Sequence, residues 1–266
     1  MPNPIIYRRI ISPMFRRGGG GLNPYLSEYL TRLAAEGGSI TGAEQGYLNT
    51  FLNSIQASEF DRLWVHGLSN QIAARISLVN ALTADLITEV NAPTFTAGVG
   101  FTGDGTTDYL DLNFQPSTDG IKYTLNDCSF GVYTQDNVEG GYILGTGSGA
   151  NFVGIRTKLT GNFTAEINSL SSVIGVSPSA NGFWSVGRTG STNPFVYRNG
   201  SSLTINTNPS LASTGLPANE VTCLAYGGTP TSTNTVSINF FGSANYNQVD
   251  FNTAIQSLAV SLGFDV

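Results

Sequence analysis

The spacing of apolar and polar positions changes twice along the chain. Between residues 22 and 58 the apolar side chains recur at helical intervals. Tyr25, Leu26, Tyr29, Leu30 and Leu33 share one face of a first helix, which opens at Asn23-Pro24 and stops at Gly37-Gly38. Thr41 and Glu44 have the spacing of a capping box for a second helix, whose stripe is Tyr47, Leu48, Phe51, Leu52 and Ile55. From Glu59 the period falls toward two. Glu59 to His66 reads as a strand entry and Ala74 to Val79 as a strand. Short alternating runs follow near 94–101, 109–114, 128–134, 141–145, 151–157, 163–168, 183–188, 195–198, 202–206, 221–226 and 236–242. Gly103-Asp-Gly105, Asp119-Gly120, Gly147-Ser-Gly149 and Asn181-Gly182 mark turns between them. Helical spacing returns over Gln248 to Leu262, with Val249, Ile255, Leu258 and Leu262 as its stripe.

The run from Phe183 to Gly200 sits at the centre of this pattern. It reads as strand, loop, strand and tight turn, because Asn199-Gly200 accepts the positive φ values of a two-residue hairpin. So many strands at short spacing predict a mainly β chain: an antiparallel two-sheet jelly-roll sandwich over 94–245. Three regions are expected. Residues 1–21 form a basic arm ending in glycines, 22–60 a helical stem, and 61–266 the jelly roll with its C-terminal helix. The two stripes can pack on each other within one chain, or around a symmetry axis with copies from other subunits, since so short a helical pair buries little apolar surface alone. Assembly through 22–60 into a homotrimer is therefore expected.

The arm concentrates four of the twelve basic residues, Arg8, Arg9, Arg16 and Arg17, with no acidic one. Ile5, Ile6, Ile10, Ile11 and Phe15 supply apolar anchors, and Gly18 to Gly21 a hinge. Such a peptide can add a strand to a sheet edge or fill a groove on a partner protein. A solvated tail is the alternative.

Charge sharpens the contrast between the two halves. Residues 1–90 are neutral overall, whereas 91–266 hold five basic and eleven acidic side chains. The β region is therefore a poor partner for nucleic acid, whose binding rests on neutralising phosphates. No apolar run approaches the roughly 18 residues of a membrane span, and no secretory leader is expected at the start. Cys128 and Cys223 are expected as buried free thiols.

Candidate chemistry is sparse. His66 is the single histidine, so a serine–histidine triad or a histidine-rich zinc site has little material. Asp108, Asp111 and Glu166 are the strand-borne carboxyls for glycoside hydrolysis, which needs two of them facing each other across a cleft. Asp108 and Asp111, three apart in a strand, point to opposite faces. No enzyme is expected, and no cofactor beyond a calcium site at Asp104 and Asp108, which flank a glycine-rich turn. Sugar binding would use aromatic platforms beside amides and carboxylates. Trp184, Tyr197, Tyr226, Phe241 and Tyr246 are available, with Trp184 and Phe241 assigned to the core. Tyr142, Tyr246 and Asn247 lie next to loops and are the exposed candidates for glycan.

Two resemblances add to this reading. The Tyr197-Arg-Asn-Gly200 turn in a Gly/Ser/Thr-rich β chain resembles laminin-G-like domains, the concanavalin A-like jelly rolls. The order Phe60-Asp-Arg-Leu-Trp64, Ala73-Ala-Arg-Ile-Ser-Leu-Val-Asn80 and Asn91-Ala-Pro-Thr-Phe-Thr-Ala97 through Gly103-Asp-Gly-Thr-Thr-Asp-Tyr-Leu110 is similar to virion fibre proteins of tailed phages. The likeness is to those of phages infecting Bacteroidetes, including the crAss-like group, and spans roughly residues 41–266. It implies a head or tail fibre or capsid decoration, made in the host cytoplasm and carried on the virion surface. Its partners would be other virion proteins, itself and a host surface glycan, with the jelly roll displayed for attachment. A capsule depolymerase spike and a bacterial carbohydrate-binding module are the alternatives.

Overall fold

The computed structural model describes residues 21–177, 179–206 and 211–264, and the whole arm from Ile5 to Arg17 lies outside them. Helix α1 (Pro24–Ala35) starts where the Asn23 side chain accepts the Tyr25 amide at 3.0 Å. Helix α2 (Gly42–Ser54) starts at the expected capping box. There the Glu44 carboxylate accepts from the Thr41 amide at 2.7 Å, while the Thr41 hydroxyl accepts the Glu44 amide at 3.1 Å. Glu44 also takes the Ser69 amide at 2.6 Å, which ties the helix to the loop after strand β1 (Phe60–Val65).

Asn70 caps a short helix α3 (Gln71–Arg75) by accepting the Ala73 amide at 3.0 Å. That cap is why the strand expected over 74–79 does not form. Its second half only lies beside β1, through Leu78 N–H to the Leu63 carbonyl at 2.7 Å. Strands β2 (Thr88–Val90), β3 (Thr94–Thr96), β4 (Gly100–Thr102) and β5 (Tyr109–Asp111) follow, then a turn of helix α4 (Pro116–Asp119). The run expected over 94–101 is thus a hairpin, broken by Gly98 at φ +76°. Next come β6 (Cys128–Thr134), β7 (Leu144–Ser148), β8 (Asn151–Leu159), β9 (Asn162–Ile167) and β10 (Val173–Val176). After them run β11 (Gly182–Arg188), β12 (Pro194–Arg198) and β13 (Ser201–Ser202). The strand expected over 202–206 leaves its sheet after two residues, and Asn206 N–H binds the Ile174 carbonyl of β10 instead. Strands β14 (Thr222–Cys223) and β15 (Ala225–Tyr226) are one expected strand split at Leu224, which sits at φ 66°. Strands β16 (Thr229–Pro230) and β17 (Thr235–Gly242) and helix α5 (Gln248–Leu262) complete the chain.

Every pairing is antiparallel. The first sheet runs β13-β12-β11-β6-β17-β4-β3, with β1 also paired to β17. The second runs β10-β9-β8-β7-β14-β5-β2. The two sheets face each other over a core that includes Phe101, Leu110, Phe130, Leu144, Ile155, Phe163, Trp184, Cys223 and Phe241. This is the expected antiparallel sandwich.

A second core lies on the outer face of the first sheet. Leu26, Tyr29 and Leu33 of α1, Leu48, Phe51 and Leu52 of α2, and Phe251, Ile255 and Leu258 of α5 pack there against Leu63, Tyr133, Phe183, Ile238 and Phe240. Most of the stripes expected to drive a trimer are therefore covered within the chain, while Tyr47 of the α2 stripe stays 40% exposed. The helices reach that face because β1, which follows them directly, pairs with β17. His66 is fully buried between the layers. Its Nδ1 donates to the Ala74 carbonyl at 2.7 Å, and its Nε2 lies 2.8 Å from the Asn239 side-chain amide. The Asn239 atom set against Nε2 is Oδ1; a neutral ring that donates at Nδ1 accepts at Nε2, so the Asn239 amide has to turn to present its otherwise unpartnered nitrogen. Burial holds the ring below the usual histidine range, in keeping with that neutral form.

Burial alone would raise the Glu44 carboxyl, but the bonds from Thr41 and Ser69 outweigh it and hold it below the ordinary range. Its contribution is present above the unfolded value and is lost as pH falls through the lower folded one. Glu44→Gln is expected to cost about 1 kcal/mol in urea unfolding at pH 7, the usual worth of a cap. The gap from wild type should close as pH drops toward 3. A gap of constant size across that range would contradict the assignment.

Candidate functional site

The three long helices pack on the first sheet, which leaves the outer face of the second without them. Strand alternation decides what that face displays. Leu110, Cys223, Leu144, Ile155 and Ala165 are register partners across β5, β14, β7, β8 and β9, and all point into the core. The next register row, Asp111, Thr222, Gly145, Gly154 and Glu166, therefore faces outward.

Three aromatic rings lie on the glycines of this face. A Cβ at Gly145 would come within 2.6 Å of the Tyr226 ring, one at Gly147 within 2.3 Å of Phe152, and one at Gly154 within 3.0 Å of Tyr142. Any other residue would lift the ring off the sheet. The rings form a strip. Phe152 and Tyr226 are near parallel with centroids 6.3 Å apart, and Tyr226 and Tyr142 are 4.4 Å apart at a tilt of 43°. All three are partly exposed. The Arg156 guanidinium extends the strip, 4.5 Å from the Tyr142 centroid.

Carboxyls stand at both ends. Glu166 is 6% exposed; it accepts from the Tyr142 hydroxyl and from Ser172 Oγ at 3.0 Å. Burial pushes its carboxyl up, against the pull of those two donors and of Arg156. Burial and the neighbouring Glu166 charge push the Tyr142 phenol up to about 12. At the far end a cleft of about 430 Å³ opens between Tyr109, Asp111, Gln115, Asn219, Glu220 and Thr222. The Asp111 carboxylate beside it raises Glu220 above the ordinary range. Thr222 joins cleft to strip by donating to the Gly145 carbonyl at 3.1 Å.

Of the three exposed candidates for glycan the structure places only Tyr142 here, joined by Tyr226 from the wider set of available aromatics. Tyr246 is 6% exposed and sits in the helix-side core among Phe60, Phe240 and Phe251, its hydroxyl 3.1 Å from Ser185 Oγ. The turn into α5 folds it under the helix, so it is no platform. Asn247 is exposed but serves as the N-cap of α5, accepting the Val249 and Asp250 amides at 3.0 and 3.2 Å. Trp184 and Phe241 are fully buried, in the core position expected of them. Phe152 was not singled out in the sequence. Its signal is Gly147, its register partner across the β7–β8 hairpin.

The other acids are spoken for locally. Asp104 accepts the Thr106, Thr107 and Asp108 amides and both threonine hydroxyls, at 2.6 to 3.1 Å. The bonds from Thr107, Thr106 and Asp108 hold its carboxylate well below the usual range. Asp108 accepts the Asp104 amide at 2.6 Å. A cation here would have to displace these donors, and among the described residues no group of three or more His, Cys, Asp or Glu could hold a metal. Asp111 and Glu166 share the outward row but stand four strand spacings apart, roughly 19 Å. That is too far for two carboxyls acting on one glycosidic bond.

Comparison with family models finds no match, and comparison with curated proteins finds none. Solved structures do match. The binding domain of botulinum neurotoxin DC in complex with rat synaptotagmin II has a TM-score of 0.51 at 11% identity, over 76% of this chain and 52% of that one. The botulinum neurotoxin serotype D/C VPI 5993 binding domain matches at 0.51 and 9%, over 76% and 53%. The neurotoxin DC binding domain in complex with SialylT matches at 0.50 and 12%, over 76% and 52%. The chain thus spans about half the length of these domains. At such identities the likeness shows the fold, an antiparallel β-sandwich of jelly-roll type.

Because the Tyr142 hydroxyl lowers the Glu166 carboxyl, removing it should raise that group further. In Tyr142→Phe, carboxyl NMR is expected to show Glu166 titrating at higher pH than in the wild type. With its folded value raised, Glu166 favours the fold most at low pH and loses that contribution as pH rises through the folded value. The variant should therefore be weaker at pH 7 by about 1–2 kcal/mol and closer to wild type near pH 4. An unchanged or lower Glu166 titration would contradict the pairing.

Proposed function

We propose that the chain is a glycan-binding β-sandwich displayed on the surface of a bacteriophage particle. The glycan part rests on one observation: three partly exposed aromatic rings seated on glycines across an open sheet face, with carboxyl and hydroxyl groups at both ends and amides at the cleft end. Sugars present C–H faces that stack on such rings, and hydroxyls that suit mixed donors and acceptors. The virion part rests on the resemblance of residues 41–266 to phage fibre proteins. On this reading the helices brace the sandwich and attachment to the particle falls to the arm, residues 1–17. Its isoleucines and arginines suit a groove or sheet edge on a capsid or tail partner. Self-assembly through the buried α1 and α2 stripes is not part of the reading.

Two measurements test it. On an array of bacterial surface glycans the wild-type protein should be retained. The variant Tyr226→Ala with Phe152→Ala should lose tenfold or more in affinity while keeping the wild-type circular dichroism. Retention of no glycan, or equal binding by the folded variant, would end the glycan reading. Separately, a chain lacking residues 1–17 should fold but be missing from purified particles. Its incorporation at the normal level would move attachment elsewhere.

A further inference from the structure

We infer that the groove between α2 and α5 is the docking site of the chain's own N-terminal arm, with Ile10, Ile11 and Phe15 in the groove and Arg16 and Arg17 at its mouth. The inference goes beyond the glycan reading and does not depend on it. The groove has a volume of about 560 Å³. Its floor is Phe51, Ala254 and Leu258, all buried. Ser54 and Asp250 also border a smaller pocket with Gln56 and Asn247, so the end of α2 faces the start of α5 and the two helices run antiparallel. The exposed Tyr47 ring therefore lies at the opposite end of the groove from Asp250, which is the one charged residue among those lining it. The aliphatic hydroxyls of the rim offer lone pairs and no free proton. Thr50 donates to the Gly46 carbonyl at 3.0 Å, Ser54 to Phe51 at 2.7 Å, Thr253 to Val249 at 2.9 Å, Ser257 to Thr253 at 2.9 Å and Ser261 to Ser257 at 2.8 Å. Such a groove suits an occupant that brings apolar side chains and hydrogen-bond donors. The arm brings both: isoleucines and a phenylalanine, backbone amides, and four arginines with no acidic residue.

The chain also enters the fold at the mouth of the groove. Asn23 N–H donates to Asn49 Oδ1 at 2.7 Å, and the Asn23 side chain to Asn53 Oδ1 at 2.9 Å. These bonds fix the start of α1 over the last two turns of α2, where Asn53 adjoins Ser54 at the Asp250 end. Gly21 and Leu22 are exposed there. The eight residues from Asn23 back to Phe15 span up to about 26 Å, over twice the roughly 10–12 Å across a helix. Gly18 to Gly21 have no side chains to obstruct that crossing of α2. Arg17 and Arg16 then meet Asp250 first, and Phe15, Ile11 and Ile10 follow toward Tyr47. An exposed ion pair of this kind sets direction more than affinity. So short a tether acts as an effective concentration on the order of millimolar, which favours the chain's own arm over that of a second copy. An arm held here is given up only to a partner that binds it more tightly.

The test is disulfide trapping in the full chain, with Ser12→Cys in the arm and Ser257→Cys in the groove, under oxidised glutathione at low protein concentration. The native thiols, Cys128 and Cys223, are buried. The control pairs Ser12→Cys with Thr229→Cys, on the β15–β16 hairpin beside the second sheet. Ser257 and Thr229 are both exposed, so the fold should tolerate either cysteine, which circular dichroism checks. An intrachain disulfide should form at least tenfold faster at Ser257→Cys than at Thr229→Cys. Adding Ile10→Asp and Phe15→Asp should bring the faster rate down to that of the control. An interchain disulfide as the main product would give the groove to the arm of a second copy and overturn the inference. So would equal rates at the two sites, or a fast rate that the aspartates leave unchanged. Glycan retention on the array and particle incorporation of the truncated chain are read separately, so the inference and the proposed function fail independently.

Discussion

The fold depends on one constraint: the central strands of the first sheet are buried on both faces. Every residue of β6, β11 and β17 is buried, since the second sheet covers one side and three helices the other. A sheet placed so cannot alternate apolar and polar in the ordinary way. Its hydroxyl and amide side chains must find partners in the interior, and several do. Ser129 donates to the Ser243 carbonyl at 2.5 Å, Thr134 to the Ala180 carbonyl at 2.7 Å, and Ser237 to the Val99 carbonyl at 2.6 Å. The same crowding fixes Gly131, where a Cβ would meet the Trp184 carbonyl at 2.1 Å.

Double burial also assigns the rings. Phe60, Phe183, Phe240 and Phe251 form a tilted and edge-on cluster under α2 and α5, with centroids 4.8 to 5.9 Å apart. Each ring removed from water contributes about 1.5–3 kcal/mol, so the helices belong to the same cooperative unit as the sheet. Asp61 reinforces the join. Its carboxylate accepts the Ile121, Lys122 and Tyr123 amides at 2.7 to 3.1 Å, linking β1 to the loop ahead of β6.

The second sheet is the counterpart. With its outer face free of helices, alternation is restored, and its outward positions hold small residues, acids and the three seated rings. The proposed glycan-binding role falls on this face, while the helix-covered core that secures the fold lies on the other. The rings fill the space that glycine leaves, and they keep a face toward solvent.

The sequence alone determined the local signals. The Thr41–Glu44 box, the Asn-Gly turn after β12, helix α5 and the succession of antiparallel strands are set by residues a few positions apart, so they could be read directly. Cys128 and Cys223 were legible as buried thiols for the same reason: they lie in apolar strand runs. What local spacing cannot hold is the partner across a sheet or beneath a helix. The helical stripes of residues 22–58 announced an apolar contact but not which surface supplies it, and that surface is assembled from β1, β6, β11 and β17. Tyr246 looked like a loop aromatic until α5 folded over it. Phe152, Tyr226 and Tyr142 become one strip only because the register of β7, β8 and β9 brings Gly147, Gly145 and Gly154 beneath them. Register is a property of paired strands far apart in the chain, and tertiary structure alone decides it.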